Sequence, residues 1–253
     1  MRCCYMNGAG NDFMVIDARG KELDFSKLAV ELCKLTGADG FMAVDESEIA
    51  DFKLHFYNAD GSRGEMCGNG ARCICRYAYD MGIVDEEMTV ETDAGIVEGR
   101  RLSADQYVVK LNDPSVLDLH RKEDVAYIEL GDPGVPHAVK EVPGLSWEMA
   151  DELKEMARGL RYDPAFPKGA NVNLYSFIGK DTVRILTFER GVEDYTLACG
   201  TGSASTALTL REKGLLSGDT LTLENRGGTL KVTITDEGIY LEGPTEVVDI
   251  HVV

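Results

Sequence analysis

Positive charge is scarce in this chain. Its 253 residues carry 26 Lys and Arg against 44 Asp and Glu, for a formal net charge of −18. A phosphate backbone demands a basic footprint, so the balance excludes nucleic acid as an expected partner. Docking on an anionic membrane is unexpected for the same reason. Long apolar runs are also missing, and none approaches the roughly 20 residues that span a bilayer. Residues 1–17 read as a strand and a Gly-rich turn, with no apolar segment leading to a small-residue cleavage site, so no secretory leader is expected. The seven cysteines, Cys3, Cys4, Cys33, Cys67, Cys73, Cys75 and Cys199, follow no disulfide framework. An odd count in a chain this long points to reduced thiols and a cytoplasmic setting. Cys-x-x-Cys of a thioredoxin type is absent. Cys67, Cys73 and Cys75 are spaced C-x5-C-x-C, which fits no familiar zinc site, so no metal is expected. The Gly-rich runs lack the Lys-Ser/Thr of a P-loop.

Two short runs carry the chemistry: Met66-Cys67-Gly68-Asn69-Gly70-Ala71-Arg72 and Ala198-Cys199-Gly200-Thr201-Gly202-Ser203-Ala204. Each sets a cysteine and Gly-x-Gly at the head of a stretch that reads as a helix, about 67–81 and 199–213. A thiol at a helix N-terminus lies beside the first-turn N–H groups and the positive end of the dipole, which favours its thiolate. One such thiol is ordinarily a packing residue. Two, each preceded by polar loops, suit an acid and a base on opposite faces of one carbon.

Hydrophobic patterning places these helices in similar halves. In the first half the pattern predicts a strand at 2–17 broken by a loop at 7–12, and a helix at 26–35 capped near Asp24 or Ser26. Strands are expected at 41–44, 52–57 and across 88–111. In the second half strands are expected at 125–130, 171–177 and 182–188, with a Ser-capped helix at 146–160. Short strands fill 220–253. The reading is a duplicated α/β unit of α+β type: two pseudo-symmetric halves, each a curled, mixed, largely antiparallel sheet around a central helix, with the site in the cleft between them. The halves are expected at 1–113, completed by a C-terminal strand at 245–253, and at 114–244.

Moving an α-proton needs a base, an acid on the opposite face, and donors around the carboxylate. The Cys reference pKa of about 8.5 is easily drawn towards neutrality, so thiolate and thiol can fill the first two roles. The helix amides after each cysteine can fill the third. No cofactor is required.

At these residues a family resemblance becomes specific. Asn11-Asp12-Phe13, Tyr57-Asn58-Ala59-Asp60-Gly61-Ser62, Glu65 through Arg72, Pro136-His137, Asn171-Val172-Asn173 and Glu189-Arg190-Gly191 through Gly202 closely resemble diaminopimelate epimerase. The blocks keep the family's order and span nearly the whole chain. The resemblance implies a cofactor-independent isomerase that interconverts LL- and meso-diaminopimelate for lysine and peptidoglycan synthesis. It implies Cys67 and Cys199 as the acid/base pair. Gly68, Asn69, Gly200 and Thr201 would hold the reacting carboxylate, and Asn11, Asn58, Asn173, Glu189 and Arg190 would recognise the substrate. Arg190 suits a carboxylate through two parallel hydrogen bonds, and Glu189 suits an ammonium. His137 reads as a structural hydrogen-bonding group, and Asp60 as a turn former. A homodimer is implied by the family alone.

Three positions depart from the family pattern. Val135 stands before Pro-His where the family usually has Asn, and Arg63 brings a positive charge beside the Asn58 loop. One extra residue lies within 192–195. These touch substrate choice and leave the two thiols in place. A racemase of another amino acid, such as histidine, is therefore the alternative, and a non-catalytic amino-acid-binding or thiol-redox protein the remote one.

Overall fold

A computed structural model describes residues 2–64 and 67–252. Met1, Val253 and the motif residues Glu65 and Met66 lie outside the described residues. The chain divides into two compact units, Met1–Lys110 with Gly243–Val253, and Leu111–Glu242.

The first unit runs β1 (Arg2–Gly8), β2 (Asn11–Asp17), α1 (Phe25–Thr36), β3 (Gly40–Asp45), β4 (Phe52–Asn58), α2 (Gly68–Asp80), β5 (Glu87–Thr92), β6 (Gly95–Arg101) and β7 (Gln106–Leu111). The second runs β8 (Pro114–Lys122), β9 (Val125–Leu130), β10 (Val135–Glu141), a 3-10 turn (Trp147–Met149), α3 (Ala150–Arg161), β11 (Asn171–Gly179), β12 (Thr182–Glu189), β13 (Asp194–Thr196), α4 (Gly200–Glu212), β14 (Thr220–Asn225), β15 (Gly228–Thr235) and β16 (Gly238–Pro244). The last strand, β17 (Glu246–Val252), belongs to the first unit and pairs with β1.

The internal repeat is visible in the pairings. The first unit's strands are ordered β17-β1-β2-β3-β4-β5-β6-β7. The second unit's are ordered β8-β9-β10-β11-β12-β14-β15-β16. In both, successive pairs run antiparallel, antiparallel, parallel, antiparallel, parallel, antiparallel, antiparallel. Parallel neighbours need a long crossover, and each here has a helix. Thus α1 and α3 bridge the first parallel pair of their units, and α2 and α4 the second. The two units are pseudo-symmetric mixed α+β folds.

Local chemistry explains the helices. In α1 the Asp24 carboxylate accepts from the Lys27 N–H at 3.1 Å, and Gly37 closes the C-terminus at φ 79°. Its Ala29, Leu32 and Cys33 pack on Met14, Ile16, Phe41 and Ala43. In the second unit Ala157 and Leu160 of α3 pack with Val172, Leu174 and Leu186. The central helices are different. Most of α2 from Gly68 to Ala78, and of α4 from Gly200 to Leu210, is buried, as for a helix enclosed on all sides. In α4 the hydroxyls stay inside by donating one turn back, Thr206 to the Gly202 carbonyl and Thr209 to that of Ser205.

Three local expectations change. The loop expected at 7–12 contracts to a two-residue turn at Ala9 (φ 53°) and Gly10 (φ 94°), which places Asn11 and Asp12 inside β2. The helix expected from Ser146 opens with the 3-10 turn, and no side-chain cap comes from Ser146. Strands β8 and β10 form where no strand is expected. Pro114 and Pro136 argue locally against them, yet Pro136 pairs opposite Glu129 near the start of β10. Among the described residues no helix is long and apolar enough to cross a membrane.

Candidate active site

Cys67 and Cys199 occupy the same place in the repeat: each is the N-cap residue of its unit's central helix. Both have extended backbones, φ −108° and ψ 121° at Cys67, φ −127° and ψ 115° at Cys199. The helical ladders begin with the Ala71 N–H to the Cys67 carbonyl and the Ser203 N–H to the Cys199 carbonyl. Gly68, Asn69 and Gly70, like Gly200, Thr201 and Gly202, therefore form first turns whose N–H groups the ladder does not consume. The Gly202 N–H lies 3.4 Å from the Cys199 sulfur and the Thr201 hydroxyl 3.5 Å from it. Cys67 is half-buried and Cys199 buried.

In the first unit the asparagines form a chain of amides. Buried Arg72 donates to the Asn69 side-chain oxygen at 2.9 Å, and Asn69 donates to Asn11 at 2.7 Å. Asn11 donates to the Asp39 carboxylate at 3.2 Å, which also accepts the Asp12 N–H at 3.0 Å. The Ala59 N–H reaches the Asp39 carbonyl, so the Asn58 turn is anchored to the same residue. Asn58 itself is exposed and donates to the Ser62 hydroxyl at 3.0 Å. Asp60 accepts from the Ser62 N–H and hydroxyl, which hold its carboxyl below the usual range and give it the turn-forming role expected. The charge at Arg63 is answered by Asp93 at 3.3 Å, and its guanidinium lies over the Tyr57 ring.

The second unit is built around Asn173. Fully buried, it donates to the Ala138 carbonyl at 3.3 Å, meets His137 Nδ1 at 3.1 Å, and accepts from the Thr187 hydroxyl at 3.0 Å. With the amide assigned as donor, His137 Nδ1 is an acceptor and the proton sits on Nε2. Burial, aided by the nearby Arg190 charge, pushes the His137 pKa down to about 3. His137 thus supports Asn173 and stays neutral at pH 7. Arg190 is exposed at the end of β12, with its N–H on the Asn171 side chain and its guanidinium on the Lys168 carbonyl. Glu189 accepts from the Thr196 hydroxyl at 2.8 Å. The chain bends tightly within 192–195, with the Glu193 N–H on the Glu189 carbonyl. Glu193 there has φ 59°, and its carboxylate gathers Arg161, Tyr162 and the Gly191 N–H.

A pH prediction follows from His137. Its imidazole resonances should not titrate between pH 5 and 8 in a histidine-selective NMR experiment. A free histidine protonates near pH 6.5 and this one near 3, so the unfolded chain binds the proton first as pH falls. The stability contribution is complete above about pH 6.5 and lost progressively towards about 3.

Within the first unit the structure brings together Asn11, Cys67, Gly68 and Asn69, with Asn58 beyond Asp39. Within the second it joins Asn173, Cys199, Gly200 and Thr201, and sets Glu189 and Arg190 at the end of β12. Sequence reasoning assigned no role to Arg72, Asp39 or Thr187. Only for Arg72 was there a signal: a charged residue inside the small and apolar run 70–75.

The diaminopimelate epimerase family model matches residues 3–116 and 131–248. The chain belongs to the diaminopimelate epimerase family. It is 36% identical over 261 residues to the diaminopimelate epimerase of Hydrogenobaculum sp. (strain Y04AAS1), covering 94% of this chain and 93% of that one. It is 34% identical to that of Archaeoglobus fulgidus, covering 94% and 91%. Members of this family are isomerases, and so is this chain. Solved structures share its fold at low identity. A PhzF-family phenazine biosynthesis protein of Bacillus anthracis superposes with TM-score 0.76 at 15% identity, covering 100% and 98%. A hydroxyproline epimerase of Agrobacterium vitis gives 0.70 at 17%, covering 99% and 91%.

Proposed function

We propose that this chain interconverts LL- and meso-diaminopimelate by passing the α-proton between Cys67 and Cys199, without a cofactor. One thiolate takes the α-proton from one face of the carbon, and the other thiol supplies a proton from the opposite face. The pair ends with its protonation exchanged, and the reverse reaction restores it. The first-turn amides after each cysteine would stabilise the carboxylate as it gains enolate character. Asn11, Asn58, Glu189 and Arg190 would recognise the substrate, with Asn69 and Asn173 bracing the two helix heads. The observation that carries this reading is the placement of both cysteines as N-caps of topologically equivalent buried helices, in a chain of this family. A cytoplasmic location, a homodimer and service to lysine and peptidoglycan synthesis accompany the reading.

One observation favours a second reading, the same machinery acting on another amino acid such as histidine. Phe13 pairs with Gly40 across the first parallel pair as His137 pairs with Asn171 in the second unit. Asn11 and Val135 are therefore equivalent, each opening its strand. Val135 can offer no hydrogen bond, and losing one to a charged group costs about 1.5–3 kcal/mol unless replaced. Incubating diaminopimelate, histidine and the common L-amino acids with the protein in D₂O tests both readings. Inversion with α-deuterium incorporation on diaminopimelate is expected. Incorporation only on another amino acid would establish the second reading, and binding without any exchange would leave a non-catalytic protein.

A further inference from the structure

We propose that Asp39 is a positioning residue of the substrate site: its carboxylate ends a one-way chain of hydrogen bonds that starts at Arg72 and fixes the side-chain amide of Asn11. The inference rests on the reading of Asn11 as a substrate-recognising residue. The two ends of the chain dictate its direction. Arg72 is fully buried and has only donors, so the Asn69 side-chain oxygen must face it, at 2.9 Å. The Asn69 amide is thereby turned to the Asn11 oxygen at 2.7 Å, and the Asn11 amide to the Asp39 carboxylate at 3.2 Å, a group that only accepts. Reversing the Asn11 amide would set its NH₂ against that of Asn69 and its oxygen against the carboxylate. Asp39 is itself pinned through its main chain, just past the Gly37 end of α1 and before β3. Its N–H donates to the Asp12 carbonyl at 2.9 Å, and its carbonyl accepts the Ala59 N–H at 3.2 Å. Its backbone therefore serves the Asn58 turn while its side chain serves Asn11 and the Asp12 N–H. A change of side chain tests the link to Asn11 and leaves the anchor of the Asn58 turn in place.

The internal repeat shows that the members belong together. The register that makes Asn11 equivalent to Val135 makes Asp39 equivalent to Ala170. Aligning Cys67 with Cys199 sets Asn69 and Arg72 opposite Thr201 and Ala204. Both ends of the chain, and the amide that would meet the substrate, are thus replaced by alanine, alanine and valine in the second unit. That is the pattern expected of groups whose worth lies in one another, since hydrogen bonds in series polarise each other. Asp39 is exposed, so its carboxylate adds little as a lone charge. What it adds is geometry: an amide already held in place saves the cost of ordering it when the ligand binds.

The test compares Asp39→Ala, Asp39→Asn, Asn11→Ala and the double variant by steady-state kinetics, and by NMR of side-chain amides without substrate. Asp39→Ala should raise KM about fivefold, the worth of one hydrogen bond, with kcat within about twofold of wild type. Asp39→Asn keeps an oxygen that can accept the same two bonds, so its KM should stay within about twofold of wild type. On the Asn11→Ala background the Asp39→Ala change should add less than about twofold, because its route to the substrate is gone. The Asn11 amide signal, identified by its loss in Asn11→Ala, should exchange with solvent several-fold faster in Asp39→Ala and near the wild-type rate in Asp39→Asn. Unchanged KM or exchange in Asp39→Ala, a fall in kcat as large as the rise in KM, an Asn variant that behaves like Ala, or a KM effect that persists without Asn11 would each overturn the proposal. Asp39→Leu, which also lacks an acceptor, stands in if Asp39→Ala does not fold. No turnover of any amino acid by the wild type, with the exchange pattern intact, would instead remove the reading of the site on which the proposal rests.

Discussion

Cys67→Ala and Cys199→Ala are each expected to lose epimerisation by a factor of roughly 10²–10⁴ or more, the usual contribution of a positioned proton donor or acceptor. The diagnostic lies in what survives. A variant with one thiol can still take the α-proton from the face it serves and return deuterium to that face. Slow α-exchange of one stereoisomer in D₂O, without inversion, is therefore the expected residue of activity. Cys73→Ala and Cys75→Ala are the controls. Their sulfurs are fully buried and held neutral, with pKa near 12, so turnover should remain within a few-fold of wild type. Near-normal epimerisation by either N-cap variant, measured by optical rotation or chiral chromatography, would sink the two-thiol mechanism.

Gly202→Ala should be the most damaging small substitution in the second unit. A Cβ there would stand 2.2 Å from the Asn173 side-chain oxygen and 3.3 Å from the Cys199 Cβ. Asn173 cannot retreat cheaply, because His137, Ala138 and Thr187 engage both ends of its amide. Overpacking of this kind costs about 1–3 kcal/mol. For a chain of this size that corresponds to roughly 2–4 °C of Tm per kcal/mol. Displacing the Cys199 helix head by about 1 Å should lower turnover on the order of 10²-fold. For Gly70→Ala, the equivalent change in α2, the nearest atoms among the described residues are Met42 at 3.3 Å and Phe13 at 3.4 Å. A methionine side chain can yield by a few tenths of an ångström, so this variant should be markedly milder. Melting of Gly202→Ala within 1 °C of wild type, or no worse than Gly70→Ala, would contradict the account.

The central helices were legible because their heads carry strong local punctuation. Expected at about 67–81 and 199–213, they run Gly68–Asp80 and Gly200–Glu212, each with its cysteine as N-cap. Helix α1 was legible for the same reason, with Asp24 at one end and Gly37 at the other. Strands β8 and β10 were not, because a proline opens or nearly opens each and their pairing partners come from elsewhere in the chain. The turn at Ala9-Gly10 looked longer in sequence. Asn7, Asn11 and Asp12 are turn formers by composition, yet here they are held in register across the β1–β2 ladder.

Residue identity alone established the chemistry available to this protein: two thiols at two helix heads, small residues around them, and motifs in the order of one isomerase family. Burial and side-chain partnership were settled only by the fold. It spends the amides of Asn69 and Asn173 inside the protein, keeps His137 neutral, and encloses the Arg72 guanidinium. Helix starts and turns follow from interactions among neighbouring residues, which a sequence displays directly. Desolvation and hydrogen bonding between Asn11 and Asn69, or His137 and Asn173, depend on segments tens of residues apart, and no local pattern encodes them.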